Sequence, residues 1–230
     1  MNFHAVRPLA AASIAVVLAV GHLLLTGLAM PASARTEKPV RIIAFGDSLV
    51  AGYRLATAEA FPAQLDKALK AKGHSVEVIG AGVSGDTTEA GLARIDWAVA
   101  DGAEAVILEL GANDALRGID PAVTRRNLGA IIERLEAKGA KILLAGMRAP
   151  RNWGKDYVRQ FEAIYPDLAA KHRLVLYPFF LEGVALDPAL ILDDGLHPNA
   201  RGVSRMVDGI LPSVEKLIAE VETTRAASSR

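Results

Sequence analysis

Beyond residue 40 the chain alternates two hydrophobic rhythms. Runs that are apolar at almost every position, at 40–45, 76–79, 105–110, 141–147 and 174–177, predict five strands of a sheet covered on both faces. Between them, 62–72, 87–100, 121–138 and 157–172 repeat apolar residues three and four apart, which predicts amphipathic helices. A last helix is expected over 200–221, followed by a soft tail at 223–230. Strict alternation of strand and helix implies a parallel sheet with right-handed crossovers, a three-layer α/β/α sandwich. In such a sheet the binding crevice lies beyond the carboxyl ends of the strands, so the loops after the strands are where chemistry is sought.

The first 34 residues follow another pattern. His4 and Arg7 precede an apolar run over 9–30, and Pro31-Ala32-Ser33-Ala34 stands before a polar stretch. A basic head, an apolar middle and an A-x-A ending predict a secretory signal cleaved after Ala34 and a periplasmic or secreted product. The apolar middle approaches the ~20 residues that span a bilayer, so an uncleaved membrane anchor is the alternative. The expected division is a leader at 1–34, one domain at 38–222 and the tail.

Composition narrows the partners. Of 230 residues, 51% are hydrophobic, enough for one core, and the 26 basic and 26 acidic residues cancel. Losing the leader removes one basic residue and no acidic one, leaving a formal charge of −1. Neither balance suits nucleic acid or a strongly charged polymer; a small, neutral or mixed-charge substrate fits better. Cysteine is absent, so no disulfide framework or lipid-modified cysteine is available.

Four loops carry candidate chemistry. After the first strand, "FGDSLVAGY" places Ser48 where its hydroxyl and its own N–H face the crevice, or where it caps a short helix. After the second, "GAGVSGDTT" offers the Gly85 N–H beside Ser84, or else a tight turn before a helix begun by Asp86 or Thr87. After the third, "LGANDALRG" carries Asn113, either an amide donor for a developing oxyanion or the maker of an Asx turn. Near the end, "DDGLHPNARG" sets Asp194 three residues before His197 across Gly195, with Asp193 as a substitute acid. There an acid can fix the tautomer of a base that serves a serine, or Asp194 can cap a helix. Pro198 is expected to open that last helix. His74 and His172 read as solvated, and no histidine cluster suggests a metal. Each loop is ambiguous alone, but together they supply every part of an acyl-transfer site.

"GDSL" at 46–49, "SGDT" at 84–87, "GAND" at 111–114 and "DGLH" at 194–197 resemble, in order, the four blocks of the SGNH, or GDSL-type, hydrolases. Longer matches, "GDSLVAGYRL", "ELGANDALRG" and "DDGLHPN", are similar to the bacterial arylesterase and thioesterase/lysophospholipase branch. The resemblance implies a flavodoxin-like five-stranded sandwich with Ser48 as nucleophile, His197 as base and then acid, and Asp194 as its partner. It further implies an oxyanion hole from the N–H groups of Ser48 and Gly85 and the Asn113 amide, with no cofactor. The G-x-S-x-G elbow of α/β-hydrolases is absent around Ser48, and Asp47 is expected to hold the turn.

Substrate preference falls to the loop after the fourth strand, "MRAPRNWGKDY". There Met147, Pro150 and Trp153 are candidates to wall a groove for an acyl or aryl group, unless Trp153 packs on the next helix as core. Esters, thioesters and lysophospholipids are the expected substrates, with possible contact to membrane lipids. A carbohydrate O-acetylesterase would use the same parts. A non-enzymatic flavodoxin-like binder of a phosphate-bearing cofactor would not need Asp194 and His197 paired.

Overall fold

The computed structural model describes Met1, residues 38–100 and residues 102–230. Apart from Met1, the leader expected at 1–34 lies outside the described residues. Glu37–Arg230 forms one compact unit. It runs β1 (Val40–Gly46), α1 (Ser48–Ala51), α2 (Phe61–Ala71), β2 (Val76–Gly82), α3 (Thr88–Ala98), β3 (Ala105–Glu109) and α4 (Ala112–Leu116). It continues with α5 (Pro121–Ala137), β4 (Lys141–Ala145), α6 (Lys155–Glu162), α7 (Ile164–His172), β5 (Val175–Tyr177) and α8 (Ala200–Ser228).

All five strands pair in parallel in the order β2-β1-β3-β4-β5. Helices α2 and α8 pack together, as do α3 with α5 and α5 with α7, which makes the three layers. The apolar runs explain the middle of the sheet: Ile42, Phe45, Val106, Ile107, Leu143 and Leu144 are buried on both faces. The edges differ from expectation. β2 and β5 are only half-buried, since an edge strand has one neighbour and thinner helical cover. Strand order reverses around β1, so the crevice opens where β1 and β3 end, and Ser48 and Asn113 stand there.

Three further expectations need correction. The helix expected over 157–172 is broken at Ala163, because Pro166 has no N–H to donate back to Glu162. The expected soft tail is helical to Ser228: Arg225 binds the Glu104 carboxylate at 2.6 and 2.5 Å and donates to the Lys38 carbonyl at 2.8 Å. His172, expected to be solvated, has a side chain only 8% exposed, with Nδ1 3.1 Å from a Glu136 carboxylate oxygen. Among the described residues, no helix is long and apolar enough to cross a membrane.

Candidate active site

β1 ends where its neighbours leave no room for a side chain. A Cβ on Gly46 would stand 2.4 Å from Glu109 Oε2 and 2.6 Å from Val50 Cγ2, so only glycine fits. Asp47 then caps α1, its Oδ1 accepting the Leu49 N–H at 3.0 Å. Ser48 is therefore the first residue of the short helix, and its N–H has no acceptor inside the helix. Gly52, in the left-handed region at φ 75°, closes that helix and turns the chain so that Tyr53 follows.

After β2, Gly85 also takes a left-handed φ of 86°. Thr87 caps α3, its Oγ1 accepting the Ala90 N–H at 3.3 Å. Asp86 is engaged otherwise, with the buried Arg94 guanidinium at 2.5 Å. Arg94 also donates to the carbonyls of Ala81 (2.9 Å) and Gly46 (2.8 Å), and so ties the ends of β1 and β2 to this loop. After β3, Asn113 lies inside α4 and makes no Asx turn. Its Nδ2 donates to Asp47 Oδ2 and to the Asp86 carbonyl, both at 3.0 Å. Its neighbour Asp114 points into the core, where Thr88 and Thr124 donate to it.

The 190s complete the assembly. Asp194 Oδ1 accepts the N–H groups of Leu196 (2.9 Å) and His197 (3.0 Å), while Oδ2 lies 2.8 Å from His197 Nδ1. Across the crevice, His197 Nε2 is 2.9 Å from Ser48 Oγ, a contact spanning 149 residues of sequence. The network assigns the Nδ1 proton to the Asp194 side and leaves Nε2 to accept from the serine hydroxyl. Asp194 caps no helix. Asn199 caps α8, its Oδ1 accepting from Arg201 and Gly202 at 3.0 Å each. Pro198 does not open α8 either; it lies ahead of the cap and forms a single antiparallel bridge with Ile191. Asp193 is turned away, paired with Arg54 at 2.6 Å.

Electrostatics separates the two carboxylates nearest the serine. Asp194 is held down at about 2, first by the His197 N–H and then by that of Leu196 and the imidazole. Asp47, fully buried, is pushed up to about 6 by that burial, against the pull of the Leu49 N–H, Glu109 and Asn113. A carboxylate depressed below its unfolded value of 3.8 stabilises the fold above that value and loses the contribution as pH falls through about 2. Asp194→Asn is expected to melt below wild type at about pH 5, where the wild-type carboxylate is charged in both folded and unfolded chains. The difference should then shrink between about pH 4 and about 2.

The groove candidates separate. Met147 is 3% exposed and packs in the core, and Pro150 is half-buried. Trp153 contacts α6 through Tyr157, ring centroids 6.0 Å apart, and lies over Gly118, but at 43% exposed it is not core. The sequence did not point to Tyr53, whose ring lies 4.4 Å from the His197 ring, or to Arg54, which tethers the 190s through Asp193. Nor did it point to Arg94. The partners of Tyr53 and Arg54 are far away in the chain, whereas Arg94 reaches Asp86 only eight residues back.

Residues 44–205 match the GDSL-like Lipase/Acylhydrolase family. Esterase TesA of Pseudomonas aeruginosa is 37% identical over 199 residues, which cover 86% of this chain and 96% of that one. An arylesterase of Vibrio mimicus is 41% identical over 168 residues, 73% of this chain and 84% of the other. The crystal structure of AlinE4, an SGNH-hydrolase family esterase, is 50% identical over 77% of this chain and 96% of its own, with a TM-score of 0.66. Sequence, sheet order and the four loops thus point one way: the chain belongs to the GDSL-like lipase/acylhydrolase family.

Proposed function

We propose that the protein hydrolyses carboxylic esters, thioesters among them, through an acyl-enzyme on Ser48. The observation that carries this is the unbroken relay from Asp194 to His197 to Ser48, at 2.8 and 2.9 Å. His197 Nε2 takes the hydroxyl proton as Ser48 Oγ attacks the carbonyl carbon, and Asp194 stabilises the imidazolium that forms. The tetrahedral oxyanion sits at the N–H groups of Ser48 and Gly85 and shares the Asn113 amide hydrogens in three-centre bonds. Collapse expels the alcohol or thiol, protonated by His197. Water, deprotonated by the same imidazole, then releases the acid and restores Ser48.

Apolar side chains exposed at the strand ends favour acyl and aryl groups over sugars. Tyr53, Val83, Leu116, Trp153 and Leu196 come from the segments that follow β1, β2, β3 and β4 and from the 190s. An O-acetylesterase acting on glycans would want polar groups there. Delivery by the 1–34 leader to the periplasm or beyond, and action on lysophospholipids at a lipid surface, extend the same proposal. Asn113→Ala is expected to lower kcat for a p-nitrophenyl ester by about 10²–10³-fold with little change in KM, because its amide acts on the oxyanion and not on bound substrate. Unchanged kcat in steady-state assays would remove Asn113 from the hole.

A further inference from the structure

Under the Ser48 turn lies a second carboxyl group with no cation of its own. Glu109, the last residue of β3, is fully buried. Its Oε2 accepts the Asp47 N–H at 3.1 Å, and its Oε1 meets no donor among the described residues. Asp47, equally buried, gives one oxygen to the Leu49 N–H and the other to Asn113 Nδ2. Arg94, whose guanidinium reaches the Gly46 carbonyl, is engaged by Asp86 and two backbone oxygens and touches neither carboxyl.

Two carboxyl groups side by side, out of water and without a cation, cannot both be charged. The hydrogen bonds say which one holds the proton. Asp47 accepts two N–H donors, which favours its ionised form, whereas Glu109 has a buried oxygen left without a donor, which a proton on that carboxyl would serve. We propose that Glu109 is a positioning residue for the oxyanion donor. As the neutral acid it donates to the Asp47 carboxylate, and Asp47, fixed as an anion, holds the Asn113 amide nitrogen toward the Ser48 turn. This rests on the assignment of Asn113 to the oxyanion hole.

Two further observations agree. Burial pushes the Glu109 carboxyl well above the usual carboxylate range, and the Asp47 charge adds to it. Were the Asn113 amide reversed, its carbonyl would face the Asp47 carboxylate and the Asp86 carbonyl, three acceptors with no donor, so the anion selects the amide orientation. The chain of contacts also explains Gly46, since a Cβ there would displace the Glu109 carboxyl.

The test compares Glu109→Gln, Glu109→Leu, Asn113→Ala and the Glu109→Leu/Asn113→Ala double variant on a soluble ester, with kcat and KM taken separately and folding followed by thermal melts. Glu109→Leu is expected to lower kcat about tenfold or more while KM stays within about twofold. Glu109→Gln should restore most of that turnover, because a neutral amide both donates to Asp47 and accepts its N–H. In the Asn113→Ala background Glu109→Leu should cost less than about twofold, since Glu109 acts through Asn113. Wild-type kcat in Glu109→Leu, an equal loss in both backgrounds, or a Gln variant as damaged as Leu would each overturn the proposal. If Glu109→Leu does not fold, Asp47→Asn takes its place. It should lower kcat only where Asn113 is present, and full activity in it would equally overturn the proposal. Full activity in Asn113→Ala is a separate failure, that of the oxyanion-hole assignment itself.

Discussion

Ser48→Ala is expected to lower kcat/KM for aryl and acyl esters by at least ~10⁴-fold, leaving a folded protein with substrate affinity near that of wild type. The magnitude follows from what is lost. Without Oγ there is no acyl-enzyme, and only direct attack of water at a site that still offers oxyanion donors remains, so ~5.5 kcal/mol or more of transition-state stabilisation disappears. The fold should scarcely notice. Ser48 Oγ is bonded to His197 Nε2, while the turn is held by Asp47, Gly46 and Gly52, none of which depends on the hydroxyl. Titration with p-nitrophenyl esters and a thermal melt on the same preparation check both halves.

His197→Ala is expected to cost a similar factor, and the Ser48→Ala/His197→Ala double variant no more than either alone. Nucleophile and base act as a unit: a hydroxyl without an acceptor for its proton is no better than none. The geometry adds a second expectation. The His197 side chain is 21% exposed and flanked by Tyr53, so removing the ring leaves a space open to solvent beside Ser48. Millimolar imidazole is expected to recover part of the lost rate in His197→Ala and none in Ser48→Ala. No rescue, or rescue in both, would count against the imidazole as proton acceptor.

Much of this was legible because the informative residues are local. The strand runs and helix spacing are short-range patterns, and Asp194, Gly195 and His197 lie within one turn. What stayed hidden is held by partners far off in the chain. The end of α8 is ordered by Arg225 on Glu104, 121 residues away, so its tail read as soft. Asp194 also read as a helix cap, but that place is taken by Asn199, whose Oδ1 accepts from Arg201 and Gly202. Some signals were present but unused. Pro166 inside the 157–172 pattern marks the break between α6 and α7. Glu109, a lone carboxyl inside the apolar run at 105–110, marks a buried polar contact, which proved to be the Asp47 turn. Met147, two residues beyond the end of β4, follows its apolar run into the core.

The central claim is that the Ser48 hydroxyl is a nucleophile made so by His197, and a fluorophosphonate probe reads it directly. Mass spectrometry of the labelled protein is expected to place one phosphonyl group on the peptide that contains Ser48, with esterase activity falling in proportion as the label is gained, and with neither label nor activity in Ser48→Ala. Labelling at another residue, or full esterase activity after Ser48 is stoichiometrically modified, would contradict it.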